Sequence, residues 1–260
     1  MLEETYGDIT VKITGFVAEV EIHALPNNHV SVDLIRDLAN AFEAADADDG
    51  VRAIVLCSEG KVFCGGADLV RRDGLITGKS SNVNPLYVEA VRLFSCATPV
   101  VAAVQGAAIG AGLGLALVAD FRVIASEARF AANFVKLGFH PGFGLTHTLP
   151  RLIGTQRASL MCQTGRRIKA EEALAWGLAD ELVPLANLRA RAHALAAEIA
   201  ENAPLAVVAT RKTLRGELAA AVKAQTDHEL SVQGVLMQTA DFAEGVKAVQ
   251  ERRVGNFTGR

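Results

Sequence analysis

Two glycine-bearing stretches have the residue types and spacing to present backbone N–H groups to a ligand oxygen. They are residues 63–69, FCGGADL, and residues 106–114, GAAIGAGLG. Each follows a predicted strand and leads into a helical pattern, and a helix start exposes unpaired N–H groups at its positive end. Two such starts that face each other could hold an oxyanion. The alternative is that the glycines, each of which costs a helix about 1 kcal/mol relative to alanine, only permit tight packing of strand on helix.

Other chemical motifs do not match the sequence. Residues 110–114 have the spacing GxGxG, whereas dinucleotide binding uses GxGxxG after a first strand. The phosphate-binding pattern GxxxxGK[ST] does not occur, and the six histidines lack metal-binding spacing. We therefore expect no metal ion.

Composition indicates a single compact domain. The chain has 260 residues, 50% of them hydrophobic, and a formal net charge of −3. The N-terminal sequence contains no apolar signal segment, and no apolar run reaches the ~20 residues that a membrane helix requires. The four cysteines form no CxxC pair. These features predict a protein of the reducing cytoplasm, without nucleic-acid or membrane partners.

The hydrophobic pattern indicates an α/β chain. Short β-branched runs predict strands at residues 10–14, 16–22, 52–59, 99–106 and 121–126, the first two joined as a hairpin through Gly15. Helical spacing covers residues 32–47 and 87–95, and alanine-rich helix dominates after residue 202. Residues 71–85, rich in Gly, Ser and Asn, are typical of a flap over a site.

Four stretches of the chain together resemble the crotonase superfamily, the enoyl-CoA hydratase and isomerase family. They are residues 60–69, 98–131, 137–154 and 244–257, in the order found in that family. The resemblance covers essentially the whole chain. It implies a spiral of ββα units over residues 1–201 that binds acyl-CoA, and a C-terminal helical region, residues 202–260, that builds homotrimers and hexamers made of two trimers.

The resemblance also implies how the substrate is held. The backbone N–H groups of Ala67 and Ala111 match the two donors that bind the thioester oxygen and stabilise an enolate. Backbone around Ala67, Asp68 and Leu69 matches the adenine-binding edge, and Arg252 falls where a basic residue contacts the coenzyme A 3′-phosphate. Coenzyme A enters as part of the substrate, with no further cofactor. Alternatively, Asp68 caps a helix, and Arg252 lies at a solvated helix end.

The chain departs from the family where hydratases carry their catalytic glutamates. The two glutamate positions are occupied by Gly114 and Phe134, and a third acidic position of the family is Gly142. None of these residues can transfer a proton. The two-glutamate hydration mechanism cannot be carried over unchanged.

Two residues are candidates to replace the missing acids. His140 lies on the loop matching the acyl end of the family's site, and imidazole exchanges protons near neutral pH. Tyr87 matches the position of a catalytic histidine in a dehalogenase of the family and could donate a hydrogen bond to an acyl group. The alternatives are a loop histidine bonded to backbone and an aromatic core residue.

Three functions follow as hypotheses. The first is an enoyl-CoA hydratase or isomerase-family enzyme, or a decarboxylase, in which stabilisation of a thioester enolate does most of the work. The second is hydrolysis of a thioester or carbon–carbon bond. In both, His140 and Tyr87 are the candidate groups that handle protons. The third is a non-catalytic acyl-CoA-binding protein, which three vacant acid positions would suit.

Overall fold

The computed structural model describes residues 2–67 and 84–260, so the predicted flap lies, apart from residues 84 and 85, outside the described residues. The strands in these ranges are β1 (Thr5–Tyr6), β2 (Ile9–Thr14), β3 (Val17–Ile22), β4 (Ala53–Ser58), β5 (Val100–Val104), β6 (Ala107–Ile109), β7 (Phe121–Ala125), β8 (Arg129–Ala131), β9 (Ile168–Lys169) and β10 (Glu181–Val183). The helices are α1 (Val32–Asp46), α2 (Pro85–Ser95), α3 (Ala111–Ala116), α4 (Leu145–Ile153), α5 (Thr155–Thr164), α6 (Ala170–Trp176), α7 (Leu188–Ala200), α8 (Pro204–Arg215), α9 (Leu218–Leu236) and α10 (Ala240–Gln250).

A large sheet of seven strands forms the base of the fold, in the order β1-β2-β3-β4-β5-β7-β10. The first three strands pair antiparallel, and the pairs from β3 to β10 are parallel. Strands β4 and β5 are buried along their whole length, as near-continuous apolar runs predict for parallel strands covered on both faces. The hairpin forms at Gly15, whose φ of +62° suits glycine.

A second, small sheet contains the strands β6, β8 and β9. Strand β6 pairs parallel with β8, and β8 pairs antiparallel with β9. Cys64, beyond the end of β4, bridges to Ala108 of β6. Successive turns of the chain therefore add one strand to the large sheet and one segment to the small one, which is the ββα spiral that the family resemblance implies.

Local sequence explains where the two early helices begin. The Ser31 side chain caps α1 by accepting a hydrogen bond from the Leu34 N–H at 3.0 Å. Asn84 caps α2 in the same way, and Pro85 occupies the first helical position, where its missing N–H removes no intrahelical bond. The predicted helices at 32–47 and 87–95 are confirmed by α1 and α2.

The C-terminal helices attach to the sheet through a half-buried acidic residue. Asp120, at the start of β7, accepts a hydrogen bond from the Val100 N–H at 2.9 Å and pairs with Arg211 and Arg215 of α8, each at 2.8 Å. The nearly continuous helix expected after residue 202 is three helices: Gly216, at φ +55°, separates α8 from α9, and α10 begins after a second break at its capping residue Thr239. The boundary between residues 201 and 202 stays a prediction.

Candidate active site

The first donor loop, residues 64–67, follows β4 and is held by its neighbours on both sides. The Cys64 N–H and carbonyl bond to the Ala107 carbonyl and the Ile109 N–H, each at 3.0 Å. The Gly66 carbonyl accepts the Val30 N–H at 2.9 Å, and Gly66 adopts φ +87°. After this turn, the Ala67 N–H has no hydrogen-bond partner within residues 2–67 and 84–260.

The second donor loop leads directly into α3. The Gly110 N–H donates to the Ala131 carbonyl at 2.8 Å, and its φ of +57° turns the chain so that Ala111 becomes the first residue of the helix. The first N–H groups of a helix have no intrahelical acceptor. In the described part of the chain the Ala111 N–H has no partner and is free to bind a ligand oxygen.

The glycines between residues 106 and 114 are required because the two donor loops pack backbone against backbone. A Cβ on Gly112 would overlap the Cys64 carbonyl oxygen, and one on Gly106 would overlap the Lys61 carbonyl oxygen. From the other side, a Cβ on Gly66 would lie 2.6 Å from the Ile109 carbonyl oxygen. Side chains at these positions would force the two loops, and with them the two donors, apart.

Both donors line one cavity of about 270 Å³. Its wall is mostly apolar and aromatic, with Phe134, Leu137, Phe139, Phe143 and Met237 among its residues. A concave apolar pocket with a few convergent polar groups is the usual form of a small-molecule site. The arrangement can hold a carbonyl oxygen between two N–H groups while an apolar group attached to that carbonyl fills the cavity.

Neighbouring side chains fill the space that acidic side chains at Gly114 and Gly142 would require: the Phe143 ring at Gly114, and the polar ends of Tyr87 and Gln233 at Gly142. A Cβ on Gly114 would lie 2.5 Å from Cδ1 of Phe143, and one on Gly142 would overlap the Tyr87 hydroxyl. Phe134, at the other glutamate position, presents an apolar ring to the cavity. The described lining of the cavity contains no carboxylate.

Tyr87, a candidate from the sequence, lies in the cavity wall. It is 9% exposed, and its hydroxyl donates to Oε1 of Gln233 in α9 at 3.0 Å. Burial, with a contribution from the Glu229 carboxylate, raises the pKa of the phenol. Tyr87 is therefore a neutral hydrogen-bonding group, and a role in catalysis stays a prediction.

His140, the first candidate for proton transfer, is not among the residues that line the cavity. Its Nδ1 lies 2.7 Å from the Pro141 carbonyl, and its own carbonyl accepts a hydrogen bond from Nε2 of Gln233 at 2.9 Å. This is the backbone-bonded loop histidine that the sequence offered as the alternative. His140 does not line the cavity with Ala67, Ala111 and Tyr87, but Gln233 joins its carbonyl to the Tyr87 hydroxyl, and a role for His140 in proton transfer stays a prediction.

Sequence reasoning passed over a buried carboxylate behind this loop. Glu229 of α9 is fully buried and accepts hydrogen bonds from the N–H groups of Gly144 and Thr146 and from the Thr146 hydroxyl, at 2.8, 3.0 and 2.5 Å. Burial raises its pKa to about 7, although these three donors oppose the shift. Glu229 fixes the start of α4 and, with it, the loop that carries Phe143.

His29 is a second residue that the sequence analysis did not select. It lines the cavity, and its Nδ1 lies 3.0 Å from the Gly66 carbonyl oxygen in the first donor loop. With Tyr87 it is one of two titratable side chains in the described lining. His29 lies between β3 and the capping residue Ser31 and belongs to no recognisable sequence motif, so residue spacing alone could not have identified it.

The residues expected to contact coenzyme A are only partly described. Asp68 and Leu69 lie outside the described residues. Arg252 is exposed just beyond α10, two residues after Gln250, which lines the cavity. Arg253 pairs with Glu244 and Glu251, whereas the Arg252 guanidinium has no such partner within the described ranges.

One group of potential metal ligands lies away from the cavity. Glu19, Glu21 and Cys57 come together under α7, and Arg189 of that helix contacts Glu21 and lies 2.9 Å from the Cys57 sulfur. The guanidinium provides the positive charge that these carboxylates need. In the part of the chain that the structure covers, no helix is both long and apolar enough to cross a bilayer.

The fold and the two backbone N–H groups that line one apolar cavity define a pocket with the shape to hold a carbonyl oxygen between two loops. The sequence model of the enoyl-CoA hydratase/isomerase family matches residues 12–260. The chain belongs to this family, within the crotonase superfamily.

Individual relatives agree with the family assignment. A probable enoyl-CoA hydratase of Rhodobacter capsulatus is 38% identical over 239 residues, 90% of each chain. The 1,2-epoxyphenylacetyl-CoA isomerase of Escherichia coli is 32% identical, covering 90% of this chain and 91% of that protein. The crystal structure of an enoyl-CoA hydratase/isomerase from Pseudoalteromonas atlantica superimposes with a TM-score of 0.87 at 29% identity, covering 96% of this chain and 100% of the other.

Proposed function

We propose that the protein binds an acyl-CoA thioester in this cavity and stabilises the enolate of its acyl group between the N–H groups of Ala67 and Ala111. The observation that carries the proposal is that both N–H groups, unpaired within the described residues, line the same apolar cavity. A donor aimed at the developing oxyanion contributes about 3 to 4 kcal/mol of transition-state stabilisation. Family membership supports a thioester as the source of that carbonyl.

Double-bond isomerisation is the reaction that suits this cavity best. Hydration places a water molecule and two proton carriers at the double bond, whereas isomerisation of a 3-enoyl-CoA to a 2-enoyl-CoA needs one group that removes and returns a proton. Gly114 and Phe134 stand where the resemblance places the two hydratase glutamates, and the described lining offers no carboxylate. The similarity to the 1,2-epoxyphenylacetyl-CoA isomerase supports isomerase chemistry on a CoA thioester in general.

Hydration is the second candidate, because the relatives include proteins named as enoyl-CoA hydratases. One absorbance experiment separates the two. The conjugated thioester band rises when a 3-enoyl-CoA is isomerised to the 2-enoyl product and falls when crotonyl-CoA is hydrated. We expect the rise, with a hydratase that has both glutamates as the control for the fall.

Two further results would change the conclusion. Release of carbon dioxide, free acid or free coenzyme A would indicate the decarboxylase or hydrolase alternative. Saturable binding of 3-enoyl-CoA and crotonyl-CoA without any chemical change would indicate a non-catalytic binding protein. Failure to bind either thioester would refute the proposed function altogether.

Contacts to the coenzyme A moiety, and the assembly, are part of the same proposal. The backbone near Ala67, with Asp68 and Leu69, would hold the adenine, and Arg252 would contact the 3′-phosphate. The unpaired state of Arg252 in the described part of the chain supports that role. The highly exposed Leu205 of α8 supports association into homotrimers or hexamers. Four free thiols support a reducing compartment such as the cytoplasm.

A further inference from the structure

One wall of the cavity belongs to a series of three phenylalanine rings. Phe134 and Phe139 line the cavity, whereas Phe242 of α10 is not among its described lining residues. The rings of Phe134 and Phe139 meet edge to face with their centroids 5.4 Å apart, and those of Phe139 and Phe242 do so at 5.5 Å. Phe139 is therefore the ring that separates the cavity from Phe242.

The series of rings begins beside the second donor loop. A Cβ on Gly110, the residue before Ala111, would lie 3.6 Å from Cζ of Phe134. Ala111, Phe134 and Phe139 all line the same cavity. An acyl group whose carbonyl oxygen binds the Ala111 N–H therefore occupies the space that the Phe134 and Phe139 rings enclose on one side.

Backbone packing on α10 holds this wall in place. The Phe139 N–H donates to the Phe134 carbonyl at 3.3 Å, and Gly138 between them adopts φ +78°. A Cβ on Gly138 would lie 2.6 Å from the Asp241 carbonyl oxygen and 2.9 Å from Cα of Phe242. Because backbone contacts backbone here, the Phe139 ring cannot retreat towards α10 to make room for a longer ligand.

The volume of the cavity limits what can lie against this wall. The cavity measures about 270 Å³. Pockets for drug-sized ligands occupy roughly 300–1,000 Å³, so this one is small even before the thioester itself is placed in it. The space that remains suits a short apolar acyl chain, whereas a long chain would have to displace a packed ring or stay in water.

We propose that Phe139 is a specificity-determining residue that restricts the substrate to acyl-CoA thioesters with short acyl chains. This inference rests on the proposed function of the cavity. In a pocket that does not stop the chain, each buried methylene raises affinity roughly fourfold, and decanoyl-CoA would bind more tightly than butyryl-CoA. A cavity that Phe139 closes reverses this order, because overpacking opposes the longer chain.

Binding of two saturated thioesters, butyryl-CoA and decanoyl-CoA, measures this restriction without any reaction at a double bond. Calorimetry on the full-length protein gives both dissociation constants, and coenzyme A alone gives the baseline. Phe139→Ala removes the ring, and Phe139→Leu replaces it with a smaller side chain at less cost in packing. Phe42→Leu is the matched control, because Phe42 of α1 is also buried and lies outside the described lining.

We expect the wild type to bind butyryl-CoA at least about tenfold more tightly than decanoyl-CoA. Phe139→Ala should shift the ratio of the two dissociation constants at least about tenfold in favour of decanoyl-CoA, Phe139→Leu should shift it in the same direction, and Phe42→Leu should leave it unchanged. If the alanine variant does not fold, the leucine variant decides.

Three results would overturn the role of Phe139 and leave acyl-CoA binding intact. They are equal or tighter binding of decanoyl-CoA by the wild type, an unchanged ratio in the folded Phe139 variants, and an equal shift of the ratio in Phe42→Leu. If the wild type binds neither thioester more tightly than coenzyme A, the proposed function of the cavity fails as well.

Discussion

Gly114, which occupies one of the family's two glutamate positions, is packed so closely that a larger residue there should change the stability of the fold. In Gly114→Ala, the new Cβ would lie 2.5, 2.8 and 2.9 Å from Cδ1, Cγ and Cβ of Phe143, which is fully buried and cannot turn away. Overpacking of this kind costs about 1–3 kcal/mol, and alanine recovers about 1 kcal/mol of helix propensity. We expect a net loss of up to about 2 kcal/mol in the free energy of unfolding.

Gly234→Ala is the matched control, because Gly234 lies inside α9 and nothing approaches within 4 Å of its Cβ position. This change should raise the free energy of unfolding by about 0.5–1 kcal/mol. Both variants are measured by urea denaturation at one protein concentration. In a Phe143→Ala background the loss from Gly114→Ala should disappear or change sign. If Gly114→Ala and Gly234→Ala raised the free energy of unfolding of the wild type equally, the claim that Phe143 leaves no room for a side chain at position 114 would be refuted.

Two further predictions concern charge. Because the pKa of Glu229 is raised to about 7 from 4.5, its protonated form stabilises the fold at low pH, and this stabilisation is lost as pH rises through 7. Relative to Glu229→Gln, the wild type should lose roughly 3 kcal/mol of unfolding free energy between pH 4.5 and 8, and parallel curves would contradict this. Arg252→Ala should weaken binding of coenzyme A about tenfold and leave binding of 3′-dephospho-coenzyme A unchanged, as measured by calorimetry. Arg253→Ala is the control. An equal loss of affinity for both ligands in Arg252→Ala would exclude a contact to the 3′-phosphate.

The strand and helix pattern could be predicted because it is local. The apolar runs of β4 and β5 and the spacing in α1 identified those elements from sequence alone. The small sheet was not predicted, because β6, β8 and β9 have two or three residues each, too few to show a period. Their pairing depends on the spiral, which is a long-range property.

At the site, the glycines predicted the donor loops, because only a bare backbone permits the close approach of Gly66 and Gly112 to the facing loop. The proton-handling candidates followed from aligned motifs and therefore included His140, whose ring bonds to its own loop. His29 escaped notice because its relation to Gly66 joins residues 37 positions apart. Only the folded chain brings these two residues together.

The central claim, that two backbone N–H groups hold the substrate oxygen, is tested most directly by Ala111→Pro. Ala111 is the first residue of α3, where proline is tolerated, so the variant removes the N–H while the helix can still form. Ala111→Gly keeps the N–H and serves as the control. With the circular dichroism spectrum unchanged, the account predicts a 10²–10³-fold loss of kcat/KM for the acyl-CoA reaction in the proline variant alone. Activity of a folded Ala111→Pro protein within about threefold of the control would contradict it.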